Sequence, residues 1–202
     1  MFVQKALLWR CGSQMETVNF VLCGLGGQGV LFMTKILAET ALSKGIKVMG
    51  AETHGMAQRG GSVISHLRLG EVQSSLVRSG TAHFLLALDE NEAYRYLPFL
   101  GRKGRLYVNA DPGLFPRQEV RPYIKDKGIT YHCLPATKEA MHLGAPMASN
   151  LALVGFFSAF DEGPFSSGEI RETIERISPS RFRDLNLKVF DACHAIGREN
   201  MP

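Results

Sequence analysis

The sequence lacks the patterns that mark nucleic-acid-binding and membrane proteins. No run of lysine and arginine stands out, and the formal net charge is only +4 over 202 residues. A nucleic-acid partner is therefore not expected, because such partners need clustered positive charge. No apolar stretch approaches the roughly 20 residues that cross a bilayer, so no membrane segment is predicted. The hydrophobic content of 45% is enough for one domain to bury a sizeable core.

Cysteine is scarce and scattered. Cys11, Cys23, Cys133 and Cys193 form no C-x-x-C pair. This spacing predicts neither a zinc site nor an iron–sulfur cluster held by this chain. The six histidines show no metal-ligand spacing either. Reduced thiols and a cytoplasmic location are the simplest interpretation.

The sequence also lacks a self-sufficient catalytic set. His132 and Cys133 are neighbours in a predicted strand, and they cannot pair because successive side chains of a strand point to opposite faces. Cys23 ends another predicted strand, where it is either an exposed nucleophile or a small core residue. The core role is favoured, since free cysteine is among the most buried residue types. No catalytic residue is therefore assigned.

What the sequence does contain is a glycine-rich turn between its first strand and its first helix. Val18–Cys23 is short and apolar, and Val30–Ser43 is long enough for about four helical turns. Between them stands Gly24-Leu25-Gly26-Gly27-Gln28-Gly29. Such a turn brings backbone close to a ligand and points the unpaired N–H groups of the helix at it. This geometry suits a phosphate, a carboxylate or the edge of a neighbouring subunit.

The glycine spacing leaves a dinucleotide site open as an alternative. Gly24, Gly26 and Gly29 satisfy G-x-G-x-x-G, and Glu52 follows the second predicted strand, where a ribose-binding acid would lie. The strand–helix–strand context of that motif fails just after the acid. Residues 51–61 contain three glycines and no apolar periodicity where a helix should stand.

Two further polar residues are candidates for binding. Arg59 lies between Gln58 and two glycines, where its guanidinium either binds a carboxylate or phosphate ligand or pairs with Glu52. Asn150 is the polar exception in a helix predicted to be buried, so it needs a hydrogen-bond partner. A loop carbonyl and a ligand satisfy Asn150 equally well.

Strands and helices alternate along the chain, which predicts the α/β class. We expect a single-domain, Rossmann-like, mostly parallel sheet flanked by helices, with an extra edge strand or hairpin. Residues 1–14 are predicted to form an arm outside the core, or to reflect an upstream start, with the domain over 15–202. The remaining strands are predicted over 46–50, 62–69, 81–88, 105–109 and 129–134. The remaining helices are predicted over 89–97, 138–142, 147–160 and within 166–197. Residues 114–128 are predicted to have little regular structure.

Three segments together resemble the gamma-type subunit, or domain, of 2-oxoacid:ferredoxin oxidoreductases. They are Gly24–Val30, the loop Glu52–Val63 with its Gly-Met-x-Gln-Arg-Gly-Gly-Ser-Val motif, and Asn150. The second loop is far more specific than the first. The resemblance extends from about Val18 to the last helix, and the indolepyruvate-type enzymes of the family look most similar.

The resemblance implies a subunit of an enzyme that oxidatively decarboxylates a 2-oxoacid, joins the acyl group to coenzyme A and passes electrons to ferredoxin. Thiamine diphosphate and iron–sulfur clusters would belong to partner subunits, with no cofactor held by this chain alone. Gamma-type domains are associated with the coenzyme A side of the site and with assembly. Carried over to this sequence, the implied binding residues are Gly24, Gly26, Gly27, Gln28, Gly29, Gln58 and Arg59. A free-standing nicotinamide- or flavin-dependent enzyme and a non-enzymatic scaffold remain the alternatives.

Overall fold

A computed structural model describes residues 10–11, 14–54 and 60–201 of the chain. Its main feature is a six-stranded sheet, made of β3 (Val18–Leu25), β4 (Val48–His54), β5 (Ser62–Leu69), β6 (Ala82–Ala87), β7 (Leu100–Asn109) and β8 (Thr130–Leu134). The strand order is β4-β5-β3-β6-β7-β8. The pairs β3–β6, β6–β7 and β7–β8 are parallel. By contrast, β5 is antiparallel to both of its neighbours, β3 and β4. The predicted α/β class, with a mostly parallel sheet and a hairpin at one edge, is confirmed.

Helices cover both faces of this sheet. They are α1 (Val30–Ser43), α2 (Glu90–Tyr96) with a 3-10 turn (Leu97–Phe99), α3 (Arg121–Lys127), α4 (Ala136–His142), α5 (Ser149–Ala159), α6 (Ser167–Ile177) and α7 (Ser180–Glu199). The larger core contains buried residues of α1, α5, α6 and α7, and the smaller one contains residues of α2 and α3. Every residue of α5 is buried, as its lack of charge predicts.

Close packing between α5 and α7 depends on glycine residues, among which Gly155 makes the shortest approach. A Cβ atom at Gly155 would lie 2.3 Å from the carbonyl oxygen of Phe190 on α7, well inside van der Waals contact. Aromatic rings fill the space between α5 and the sheet. Phe20 and Phe84 stack with their centroids 4.7 Å apart, and Phe157 meets both edge-on. The buried helix is therefore fixed from both sides.

The strands of the hairpin at the edge of the sheet differ in bounds and position from those predicted from the sequence. β4 continues to His54 because it pairs with β5 as far as the partners His54 and Val63. The prediction that residues 51–54 form a loop was therefore wrong. β5 was expected to pair at an edge, and it does, but it lies inside the hairpin, between β4 and β3.

Two other predictions were also wrong: one helix was missed, and one strand begins earlier than expected. The segment 114–128 contains α3, which has Pro122 in its first turn and ends at Gly128, whose φ of 63° is left-handed. That helix has one buried residue, Ile124, which is too few to show a periodic pattern. β7 begins at Leu100 instead of Arg105, and its pairing with β6 is interrupted by a register shift.

The N-terminal residues are described only in part. Residues 1–9, 12 and 13 lie outside the described ranges. Arg10–Cys11 (β1) and Gln14–Met15 (β2) pair antiparallel with each other in a separate two-stranded sheet. The predicted arm over 1–14 and domain over 15–202 stay predictions. Among the described helices, none combines the length and apolarity that a bilayer crossing requires.

Gly155→Ala tests the α5–α7 packing. The added methyl group must push α7 away from α5, so we expect a loss of about 2 kcal/mol or more in the free energy of unfolding. Urea denaturation measures it. Gly168→Ala is the matched control in α6, because no atom of the residues that the structure describes lies within 4 Å of that Cβ position. It should be neutral or stabilising by up to about 1 kcal/mol; equal losses in both variants would contradict the packing account.

Candidate functional site

The glycine turn after β3 is joined to the start of β5 by backbone hydrogen bonds. The N–H of Gly26 donates to the carbonyl of Gly61 at 2.8 Å, and the N–H of Gly60 donates to the carbonyl of Gly26 at 3.4 Å. The register of the two strands, which pairs Leu25 with Ser62, places these groups opposite each other. Two glycine-rich segments far apart in sequence thus form one surface at the carboxyl end of β3, where open α/β sheets bind ligands.

Gln28 closes the first turn from within. Its Oε1 accepts a hydrogen bond from the N–H of Leu25 at 2.7 Å. A Cβ atom at Gly24 would lie 2.7 Å from that same Oε1 and 3.0 Å from Cβ of Leu88, so the surroundings of this glycine are closely packed. Gly24 is buried, whereas Gly27 is exposed. Of the candidate binding residues in this turn, Gly27 therefore offers the most accessible backbone.

Gly29 connects the turn to α1 and to α5. Its φ of 84° is left-handed, and its carbonyl accepts hydrogen bonds from the N–H of Met33 at 3.1 Å and from Nδ2 of Asn150 at 3.2 Å. A Cβ atom at this position would lie 2.5 Å from Nδ2 of Asn150. Asn150 is 5% exposed. It therefore binds a loop carbonyl, the first of the two roles that its sequence position allows.

The N-terminus of α1 is open to an anion. No side chain of the described residues caps it, and its first turn contains no acidic residue. Because the first N–H groups of a helix have no partner within it, they form a donor-rich end that also carries the positive end of the helix dipole. This end lies next to the exposed backbone of Gly27, an arrangement that suits a phosphate group.

The second loop is described only at its two ends. Gln58 and Arg59 lie outside the described residues, so their predicted binding role stays a prediction. Glu52 is exposed on β4, and β5 lies between that strand and β3. A dinucleotide site needs its acid on the strand next to the glycine turn. The inserted strand moves Glu52 one strand further away, which argues against the dinucleotide alternative.

A buried carboxylate near the second loop was missed as part of the site. Glu92 is 3% exposed. Its carboxylate accepts a short hydrogen bond from the hydroxyl of Ser62, whose Oγ also lies 2.8 Å from the hydroxyl of Tyr96. Sequence patterns indicated only a helix start for this residue, and Asp89 does cap α2. The cluster attaches the end of the second loop to α2, a long-range contact that no local pattern reveals.

Cys23 is a core residue. It has no exposed surface, and burial, with the charges of Glu92 and Asp89 adding to it, raises the pKa of its thiol well above the usual range. The favoured sequence interpretation is confirmed, because an inaccessible neutral thiol is not a nucleophile. Among the described residues, no three or more His, Cys, Asp or Glu side chains cluster as a metal would require.

An apolar groove of about 450 Å³ lies beside the turn, between the start of α1 and the start of α7. Asn150 belongs to its lining as well as to the glycine turn. Met147 and Phe182 line it with 77% and 44% of their surfaces exposed. Exposed apolar surface of this kind, continuous with a polar turn, is typical of a contact site.

Comparisons with known proteins identify the family. A family model described as pyruvate ferredoxin/flavodoxin oxidoreductase matches residues 19–196. The chain belongs to this family. It is 35% identical over 182 residues to the indolepyruvate oxidoreductase subunit IorB of Archaeoglobus fulgidus, with 85% of this chain and 90% of that protein covered. The corresponding subunit from Thermococcus kodakarensis is 35% identical over 190 residues, with 88% and 94% covered. The resemblance stated from sequence is confirmed.

Solved structures show the same fold. The gamma subunit of a keto/oxoacid ferredoxin oxidoreductase from Geobacter sulfurreducens superposes with a TM-score of 0.69 at 22% identity, covering 89% of this chain and 98% of that one. A 2-oxoglutarate:ferredoxin oxidoreductase from Magnetococcus marinus, solved with 2-oxoglutarate, coenzyme A and succinyl-CoA bound, gives a TM-score of 0.74 at 16% identity. It matches 92% of this chain but 32% of its own. In that protein the fold is one part of a longer polypeptide.

Asn150→Ala tests the link between α5 and the glycine turn. Losing the donor leaves the carbonyl of Gly29 with one hydrogen bond, so we expect a cost of about 1 kcal/mol in the free energy of unfolding. Amide hydrogen exchange should become faster between Gly26 and Met33. Asn200→Ala is the control, because it removes an exposed amide at the end of α7. Unchanged exchange around the turn in Asn150→Ala would refute the link.

Cys23 should resist alkylation in the native protein. Because its thiol is buried and its pKa is raised, iodoacetamide at pH 8 should label it only after denaturation. Peptide mass spectrometry of native and urea-denatured samples makes the comparison. Rapid labelling of Cys23 in the native sample would show that the thiol is accessible after all.

Proposed function

We propose that the chain acts as one subunit of a 2-oxoacid:ferredoxin oxidoreductase that converts indolepyruvate-like aryl 2-oxoacids to acyl-CoA. In this proposal the chain is inactive alone, supplies the coenzyme A side of a shared site and contributes to assembly. Thiamine diphosphate and the iron–sulfur clusters belong to its partner subunits, which pass electrons to ferredoxin. Membership of the family and the names of the IorB relatives support the reaction class.

The observation that carries the coenzyme A role is the open N-terminus of α1 beside the glycine turn. Coenzyme A is a polyanion, and a phosphate group placed there would accept hydrogen bonds from free backbone N–H groups in the field of the helix dipole. The hydrogen bonds of Gly26, Gly60 and Asn150 hold the turn in position before any ligand arrives. A preorganised site loses less conformational entropy on binding.

The apolar groove supports the assembly role. It joins the glycine turn through Asn150 and leaves Met147 and Phe182 uncovered. A partner subunit that covered this groove would bring its own cofactors close to the turn. The two halves of the proposal therefore use adjacent surfaces, and a shared pocket would form between them.

Leu31 provides a direct test. It lies in the first turn of α1, is 39% exposed and has no charge of its own. Leu31→Glu places a carboxylate where the phosphate is expected, while helix stability is kept or improved because an acidic residue favours a helix N-terminus. In the complex reconstituted with its thiamine-dependent partner, the KM for coenzyme A should rise about tenfold through charge repulsion. The kcat at saturating coenzyme A should be unchanged.

Leu31→Gln is the matched control, because glutamine has the shape of the glutamate introduced by Leu31→Glu but no charge. Its KM for coenzyme A should stay close to the wild-type value. Equal KM values in the two variants would contradict the coenzyme A role. Size-exclusion chromatography separates this result from failed assembly, and a correctly assembled wild-type complex that reduces no ferredoxin with indolepyruvate and coenzyme A would refute the reaction.

A further inference from the structure

A second pocket lies at the amino ends of the parallel strands, whereas the glycine turn lies at their carboxyl ends. Its volume is about 620 Å³, and it is formed where β3, β6 and β7 begin and β5 ends. Asn19, near the start of β3, belongs to its lining. The chain from Asn19 to Gly26 spans about 23 Å at a rise of ~3.3 Å per residue. The two sites are therefore separate.

The lining of this pocket is strongly cationic. Among the described residues, the lining contains no acidic side chain and five positively charged ones: Arg68, Arg78, Arg102, Lys103 and Arg105. Glu162 neutralises Arg105 at 2.8 Å, and Asp126 lies 3.8 Å from Arg102 at an exposed position. In the described part of the chain, the other three cations have no carboxylate within ion-pair distance. Glu16 lies close enough for its charge to act on His83 of the lining, so the pocket keeps an excess of positive charge.

One of these unpaired cations is fixed by neutral partners. The Nε of Arg68 donates to Oδ1 of Asn19 at 2.9 Å, and its Nη1 donates to the carbonyl of Ser74 at 2.9 Å. Neutral acceptors orient the guanidinium without cancelling its charge. Since Nη1 also lies 3.1 Å from Oγ of Ser74, the guanidinium keeps its Nη2 group and its positive charge for an oxyanion.

Asn19 organises the rest of the pocket. It is 6% exposed, although its strand is otherwise apolar. Its Nδ2 donates to the carbonyl of Thr81 at 3.1 Å, and its backbone N–H donates to Nδ1 of His83 at 3.0 Å. Asn19 thus holds Arg68, the loop before β6 and the start of β6 in place. With two hydrogen bonds of its side-chain amide and one of its backbone N–H, Asn19 builds a rigid polar floor.

Glycines also line this pocket. A Cβ atom at Gly101 would lie 3.0 Å from the carbonyl oxygen of Gly80, and one at Gly104 would lie 2.9 Å from a methyl group of Leu100. Between these two glycines, Lys103 adopts a left-handed φ of 59°. Non-glycine residues adopt this conformation at a cost, and such positions cluster at ligand sites.

We propose that this pocket binds a small polyphosphate, meaning a pyrophosphate group either free or as part of a larger small molecule. Three uncompensated cations around one cavity exceed what a single carboxylate needs, and they match a ligand with two or more negative charges. The volume lies within the range of small-molecule sites. The positive charge is clustered around one pocket in a protein of net charge +4, so an extended nucleic acid or membrane surface is not the matching partner.

Calorimetric titration with inorganic pyrophosphate tests the proposal. The chain and its reconstituted complex should both bind pyrophosphate saturably at an ionic strength of about 150 mM, and variants of the pocket residues assign that binding to the pocket. Arg78→Gln should weaken pyrophosphate binding by about tenfold, because a charge-assisted hydrogen bond is lost. Arg78 lies on an exposed loop, so this variant keeps the fold. Arg68→Gln should weaken binding by at least as much.

Lys125→Gln is the charge-matched control, since Lys125 is exposed on α3 outside the pocket. Its affinity for pyrophosphate should equal that of the wild type. The absence of saturable binding, or equal weakening in all three variants, would overturn the proposal. Binding to the isolated chain that disappears in the complex would also overturn it, because it would assign the pocket to an acidic segment of a partner subunit.

Discussion

The antiparallel pairing of β5 with β3 is the constraint on which the candidate site depends. An ordinary doubly wound sheet would place a parallel strand beside β3. Here β5 runs the other way, so its first residues reach the same edge at which β3 ends. The backbone of Gly60 and Gly61 therefore meets the glycine turn at Gly26. One strand direction thus joins two glycine-rich segments and moves Glu52 away from the dinucleotide position.

Much of the fold follows from local patterns. The apolar strands, the glycine turn before α1 and the uncharged α5 were all indicated by composition and periodicity, which act over a few residues. The helix α3 was missed because its single buried residue, Ile124, leaves no period. The extension of β4 to His54 was missed because it depends on pairing with β5. Pairing between strands is a long-range property, and local patterns do not contain it.

The candidate site also has a part that local patterns predict and a part that depends on long-range contacts. The turn itself is a local motif, and its presence between β3 and α1 was predicted. Its supports come from distant parts of the chain, namely Asn150 on α5 for the first turn and Glu92 on α2 for the second loop. The two ends of the sheet also differ in chemistry. Backbone donors and an apolar groove occupy one end, and a cluster of cations occupies the other. The two ends of the sheet are thus candidate binding surfaces of different chemistry.

The most direct test of the account is amide hydrogen exchange on the reconstituted complex, with and without coenzyme A. The helix start and glycine turn should bind the phosphate through backbone N–H groups, so coenzyme A should slow exchange over residues 26–32. Exchange in α3, on the other face of the sheet, should stay the same. Protection that is absent from residues 26–32 although coenzyme A is turned over would contradict the account.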